Sequence, residues 1–143
     1  MSSYADEIEG LQELVGRTVL AVAAEEPGEH FLRLTTDDGD RFVTAIGDCC
    51  SETWFADITG FDALIGSPVL SVDQPALEDR PNDGRGRQEE DAYYGITITT
   101  AKGRCDIVYR NSSNGYYGGW CSYGKTCTEK VDWAPITSDW SAS

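Results

Sequence analysis

Ile8-Glu9-Gly10-Leu11, Leu14-Val15-Gly16 and Val19-Leu20-Ala21-Val22 return 50 residues later as Ile58-Thr59-Gly60-Phe61, Leu64-Ile65-Gly66 and Val69-Leu70-Ser71-Val72. Further on, Leu32-x-Leu34-Thr35-Thr36-x-x-Gly39-x-x-x-Val43 returns as Ile96-x-Ile98-Thr99-Thr100-x-x-Gly103-x-x-x-Ile107, now 64 residues on. The difference of 14 residues falls in 73–91, a stretch rich in Pro, Gly, Asp, Glu and Arg with few apolar side chains, which reads as an inserted mobile loop. Each repeat predicts a short helical turn ending near Gly16 or Gly66, a strand over residues 19–22 or 69–72, and a hairpin across Gly39 or Gly103. In the hairpins the apolar positions alternate in period two. Leu32, Leu34, Val43 and Ala45 share one side, as do Ile96, Ile98, Ile107 and Tyr109. Asp37-Asp38-Gly39 and Ala101-Lys102-Gly103 supply the glycine that tight turns need for positive φ.

The expected fold is therefore mainly β with a minor helical part. It is an antiparallel sheet or small barrel built from two pseudo-symmetric repeats, each a short helix plus about three strands. Residues 1–143 make a single domain, with repeat one over about 8–54, repeat two over about 58–120, and a Trp-rich tail over 121–143. A length of 143 residues with 40% apolar and 10% aromatic side chains supports a real core and excludes a disordered or collagen-like chain.

The formal charge is −14, and it is unevenly placed: 21 of the 25 acidic side chains lie in residues 1–91. No stretch clusters Lys and Arg as a surface that follows a nucleic-acid backbone requires, so direct binding of that kind is not expected. The acidic half reads either as a solvated surface or as a face that imitates nucleic acid. No apolar run is long enough to cross a membrane, and the first residues lack a basic signal-peptide start, so neither a transmembrane helix nor a secretory leader is expected.

After each hairpin the chain enters a segment unlike ordinary core: GDCCSETW over 47–54, and NSSNGYYGGW over 111–120. The 64-residue offset makes them equivalents, which meet across a pseudo-dyad or lie at opposite ends. In the second, Asn111, Ser112, Ser113 and Asn114 offer hydrogen-bond donors and acceptors, while Tyr116, Tyr117 and Trp120 offer flat faces for a base or sugar ring. Arg110 beside them suits a phosphate or a cross-strand carboxylate. In the first, Asp48, Cys49, Cys50, Ser51 and Trp54 contribute. Together these compose a pocket for a small polar ligand. The competing reading is a Gly-rich loop whose Asn and Ser satisfy its own turns.

Five cysteines, two of them adjacent and none in a Cys-x-x-Cys frame, argue for free thiols in a reducing compartment and against a zinc site. Neighbouring Cys49 and Cys50 on a strand point to opposite faces, and His30, the sole histidine, sits in a polar loop. Acidic residues Asp48, Glu52 and Asp57 lie near Trp54, but a chain this acidic offers such pairs anywhere. No P-loop, dinucleotide fingerprint, zinc-protease or nucleophile-elbow motif is present, and no cofactor, metal or catalytic residue is assigned. In the tail, Trp133 and Trp140 are expected to lie on the domain surface or on a second subunit.

GDCCSETW with the following Phe55-Ala56-Asp57-Ile58 and Leu64-Ile65-Gly66, and KGRC over 102–105 with RNSSNGYYGG over 110–119, resemble a family of small bacteriophage proteins. Its members come chiefly from phages of actinobacteria and have no assigned activity. The similarity runs over roughly residues 8–119. It implies a phage origin and expression in the cytoplasm of a bacterial host, and it transfers no functional residue. Small phage proteins of this kind often act on host machinery or defence. The expected function is a non-enzymatic accessory protein that binds a small polar ligand, such as a nucleotide signal of host immunity, to counter host defence. The alternative is an acidic interaction module or nucleic-acid mimic that blocks a host nucleic-acid enzyme. The expected partners are thus a small ligand or a host protein, with no membrane and with a homo-oligomer left open.

Overall fold

Ten strands and two single helical turns make up the computed structural model, which describes residues 10–26, 28–47, 52–75, 90–113 and 119–142; for 90–92, 113, 119 and 120 only the backbone is described. In chain order they are a 3-10 turn (Leu11–Leu14), β1 (Val19–Glu25), β2 (Phe31–Thr36), β3 (Gly39–Gly47), β4 (Glu52–Thr59) and α1 (Phe61–Leu64). There follow β5 (Val69–Asp73), β6 (Glu90–Thr100), β7 (Gly103–Ser113), β8 (Gly119–Gly124), β9 (Trp133–Ile136) and β10 (Trp140–Ser141). They form two five-stranded sheets with orders β8-β3-β2-β1-β9 and β10-β4-β7-β6-β5. Every named pair is antiparallel. The fold is mainly β, as the alternating sequence implied, and the strands divide between two sheets.

The alternation explains the core. Leu32, Leu34, Val43 and Ala45 on the first sheet are buried, as are Ile96, Ile98, Ile107 and Tyr109 on the second, and all belong to one apolar cluster with Phe55 and Ile58. Removing such side chains from water supplies roughly 1.5–3 kcal/mol each. Both helical turns seal this core with two residues apiece, Leu11 and Leu14 in one and Phe61 and Leu64 in the other. Four-residue turns are too short to stand alone, so this packing holds them.

Two features join the sheets. Strand β4 leaves the first hairpin and pairs with β7 of the second sheet, while β8 leaves the second hairpin and pairs with β3 of the first. Between β1 and β5 the backbone bonds are reciprocal: Gly16 N–H donates to the Val69 carbonyl at 2.8 Å, and Gly66 N–H to the Val19 carbonyl at 2.9 Å. Gly16 and Gly66 hold φ of 90° and 85°, which favours glycine. Register shifts fall at Val19/Ala21 in β1 and at Val69/Ser71 in β5, and leave Leu20 and Leu70 exposed.

The tail adds one short edge strand to each sheet, β9 against β1 and β10 against β4. Trp133 covers the outer face of the first sheet, 6.0 Å from the Phe42 ring and 5.0 Å from the Arg33 guanidinium carbon. Trp140 packs against the core. The sequence-expected insertion over 73–91 overlaps the ends of β5 and β6, and residues 76–89 lie outside the described residues.

A buried ion pair fastens the first turn to the sheet. Arg41, in core register with Val43 and Ala45, donates through Nε to Glu13 Oε1 at 2.7 Å and through Nη2 to Glu13 Oε2 at 3.2 Å and Asp38 Oδ2 at 3.0 Å. Tyr123 on β8 donates its hydroxyl to the same Glu13 Oε1. The Arg41 hydrogen bond, opposed by desolvation, holds the Glu13 carboxyl down at about 2. Glu13 in turn holds Arg41 firmly charged.

Candidate functional site

Strand pairing brings together the flanks of the two unusual strings. Gly47, at the end of β3, pairs with Gly119, and Glu52, at the start of β4, pairs with Ser112. Both strings therefore leave and rejoin the sheets at one end of the molecule. Thr53 pairs with Asn111 and Trp54 with Arg110 along the same ladder.

Alternation then sorts these side chains by face. Asn111 continues the inward row of Cys105, Ile107 and Tyr109; it is buried and donates from Nδ2 to Thr53 Oγ1 at 2.9 Å. Arg110 continues the outward row of Asp106 and Val108. It is nevertheless only 3% exposed, with its guanidinium carbon 4.8 Å from the Trp54 ring centre and 5.4 Å from that of Tyr93 on β6. A desolvated cation between two aromatic faces is held by roughly 2 kcal/mol or more. Ser112, next but one on that row, is fully buried, and its Oγ has no hydrogen-bond partner. An unsatisfied buried hydroxyl costs roughly 1–3 kcal/mol, so this atom is a standing acceptor and donor one cross-strand row beyond the Trp54–Arg110–Tyr93 row.

Of the residues picked from sequence, Arg110, Asn111, Ser112 and Trp54 are thus placed side by side, with Asn111 turned to the interior. Ser113 ends β7, and Trp120 on β8 pairs with Ile46. Asp48, Cys49, Cys50, Ser51, Asn114, Tyr116 and Tyr117 lie outside the described residues.

One neighbour of the site gave no signal in the sequence: Tyr93 reaches Arg110 only through β6–β7 pairing. His30 lies between two carboxylates, Nδ1 3.4 Å from Glu25 and Nε2 3.9 Å from Glu52, because the β1–β2 loop folds over β4. That loop is anchored by Phe55 N–H donating to the Glu29 carbonyl at 2.8 Å. Among the described residues no three His, Cys, Asp or Glu side chains converge as metal ligands. Cys105, Cys121 and Cys127 are in no disulfide, and burial pushes Cys105 up to about 12, which makes it inert at neutral pH. None of the described helices is long and apolar enough to cross a membrane.

Within the acidic half, the turn over Asp37, Asp38 and Asp40 is engaged within the molecule. Asp37 Oδ1 accepts the Thr18 N–H at 3.2 Å, Asp38 pairs with Arg41, and Asp40 accepts the Thr35 hydroxyl at 2.8 Å.

Two antiparallel sheets exchanging one strand each, with a cation–aromatic cluster at the exchange end, define a small two-sheet β domain. Residues 12–122 match the family model described as a domain of unknown function, DUF7448, and the chain belongs to that family. It is 28% identical over 93 residues to the uncharacterized protein L278 of Acanthamoeba polyphaga mimivirus, which spans 62% of this chain and 73% of that protein. No solved structure matches.

Proposed function

We propose that the protein is a viral accessory protein, phage-encoded and working in the cytoplasm of a bacterial host, that binds a small polar ligand without turning it over. The observation that carries this reading is the convergence at one sheet end of Trp54, Arg110 and Tyr93 with the unsatisfied Ser112 hydroxyl. Aromatic faces with a cation and a few fixed polar groups are the chemistry of a site for a nucleotide or sugar phosphate. The flanks of both unusual strings pair at this end, and the Asn, Ser and Tyr residues of those strings are proposed to complete the pocket. Countering host defence by sequestering a nucleotide signal is a role that needs affinity alone, which suits a chain without a recognisable catalytic frame. The matched mimivirus protein supports a viral setting.

Calorimetric titration with cyclic and linear nucleotides tests this. Saturable binding that Tyr117→Ala with Asn114→Ala abolishes, and that changes little between low and moderate salt, supports the pocket. Binding of a basic host protein that collapses as salt rises, with no nucleotide bound, would instead favour the acidic-mimic reading.

A further inference from the structure

The outer face of the second sheet carries a groove of about 690 Å³, lined among others by Asp57, Thr59, Gly95, Thr97, Arg104 and Asp106. That size is ordinary for a site taking a small molecule. Its floor is made by cross-strand pairs: Thr97 opposite Asp106, Gly95 opposite Val108, and Thr99 opposite Arg104.

The first sheet shows what this surface holds when it is filled. Sixty-four residues earlier in the chain, Phe31 stands for Gly95, Arg33 for Thr97 and Phe42 for Asp106, and Arg33 pairs with Phe42 as Thr97 pairs with Asp106. On that pair sits the Trp133 indole, brought in by β9. On the second sheet all three positions are smaller and, among the described residues, no tail strand flanks β5. The groove is thus the open counterpart of a surface that seats a ring. It has exchanged an apolar and cation–π lining for hydroxyls and carboxylates.

The polar groups there are of both kinds and partly pre-set. Asp106 accepts the Thr97 hydroxyl at 2.8 Å and lies 3.2 Å from Arg104 Nε, so its carboxylate is oriented before any ligand arrives. Three carboxylates, Asp57, Asp73 and Asp106, disfavour an anion. Arg104 and the threonine hydroxyls add donors that a simple cation does not use. A ligand whose every polar group both donates and accepts fits best, with Val108 and Pro75 to meet its C–H face.

We infer that this groove is a binding site for a ring-sized polyol, a monosaccharide unit, held by Asp106, Asp57 and Thr97. It uses different residues from the site under Proposed function, and the two stand or fall separately.

The test is proton–nitrogen correlation NMR on the full chain with D-glucose, D-galactose, D-mannose and D-ribose as probes, and with spermidine and inorganic phosphate alongside. At least one sugar should shift the amides of Gly95, Thr97, Thr99 and Asp106 saturably, and Tyr117→Ala should leave that response unchanged. Thr97→Val and Asp106→Asn, each checked by thermal melting, should weaken it roughly tenfold. Thr97→Arg combined with Asp106→Phe, which copies the filled sheet, should abolish it. No saturable response to any sugar, a response at these amides only to spermidine or phosphate, or sugar binding unchanged in Thr97→Val and Asp106→Asn would overturn the assignment.

Discussion

Replacing Glu13 by Gln removes the charge that the buried Arg41 depends on while keeping the side chain's size. Arg41 is 2% exposed and would keep only the Asp38 carboxylate, itself half in water, as a charged partner. Stripping one partner from a fully buried ion pair costs about 3–5 kcal/mol. Glu13 is about one-third exposed, and Gln still accepts one hydrogen bond, so the figure is discounted to about 2 kcal/mol at neutral pH. For a chain of this size that is a fall of roughly 6–8 °C in melting temperature. The sign with pH follows from the depressed carboxyl: the folded protein holds Glu13 at about 2 against 4.5 for the free group. Its stabilisation is complete above about 4.5 and is lost as pH falls toward 2. Urea melts of wild type and Glu13→Gln should therefore differ at pH 7 and converge as the solution is taken below pH 4. A difference under about 0.5 kcal/mol at pH 7, or one that stays constant down to pH 3, would refute the reasoning.

Other expectations follow from single atoms. Ser112→Ala, which deletes a buried hydroxyl with no hydrogen-bond partner, should be neutral or stabilising by about 1 kcal/mol in a urea melt while weakening ligand binding. Iodoacetamide at pH 8 should leave Cys105 unmodified in the native protein and label it after denaturation, since its thiol is buried and titrates near 12; rapid native labelling read by peptide mass spectrometry would contradict this. Gly60→Ala should destabilise far more than Gly16→Ala. Both glycines have positive φ, but a Cβ at Gly60 collides with the Arg104 carbonyl whereas nothing lies within 4 Å of one at Gly16. The costs are about 1 kcal/mol at Gly16 and about 3 kcal/mol or more at Gly60, and equal melting temperatures for the two variants would be inconsistent with the packing.

Local pattern accounts for what the sequence made legible. Leu32, Leu34, Val43 and Ala45, like Ile96, Ile98, Ile107 and Tyr109, announce hairpins because burial on one face imposes period two, and Gly39 and Gly103 mark their turns. Partner choice was hidden. Nothing in the composition of β4 or β8 says that each crosses to the other sheet, because that choice is made by the whole core. Arg41 was equally opaque: it occupies a core register where an apolar residue is expected, and its partner Glu13 lies 28 residues away and is itself held by Tyr123 from across the molecule. The tail strands are too short, and β9 too interrupted by Pro135, to stand out as strands. At the candidate site, Arg110 and Trp54 were recognised as individual residues. Tyr93 and the outer-face groove became visible only once β6, β7 and β4 lay side by side.

Native mass spectrometry of the protein purified from a bacterial host, before and after denaturation, tests the central claim most directly. The account predicts a bound small molecule of the nucleotide or sugar-phosphate class that is released on unfolding and is missing from the folded Tyr117→Ala protein. A wild-type protein that carries no such molecule, and takes none up when incubated with a nucleotide extract of infected cells, would contradict it.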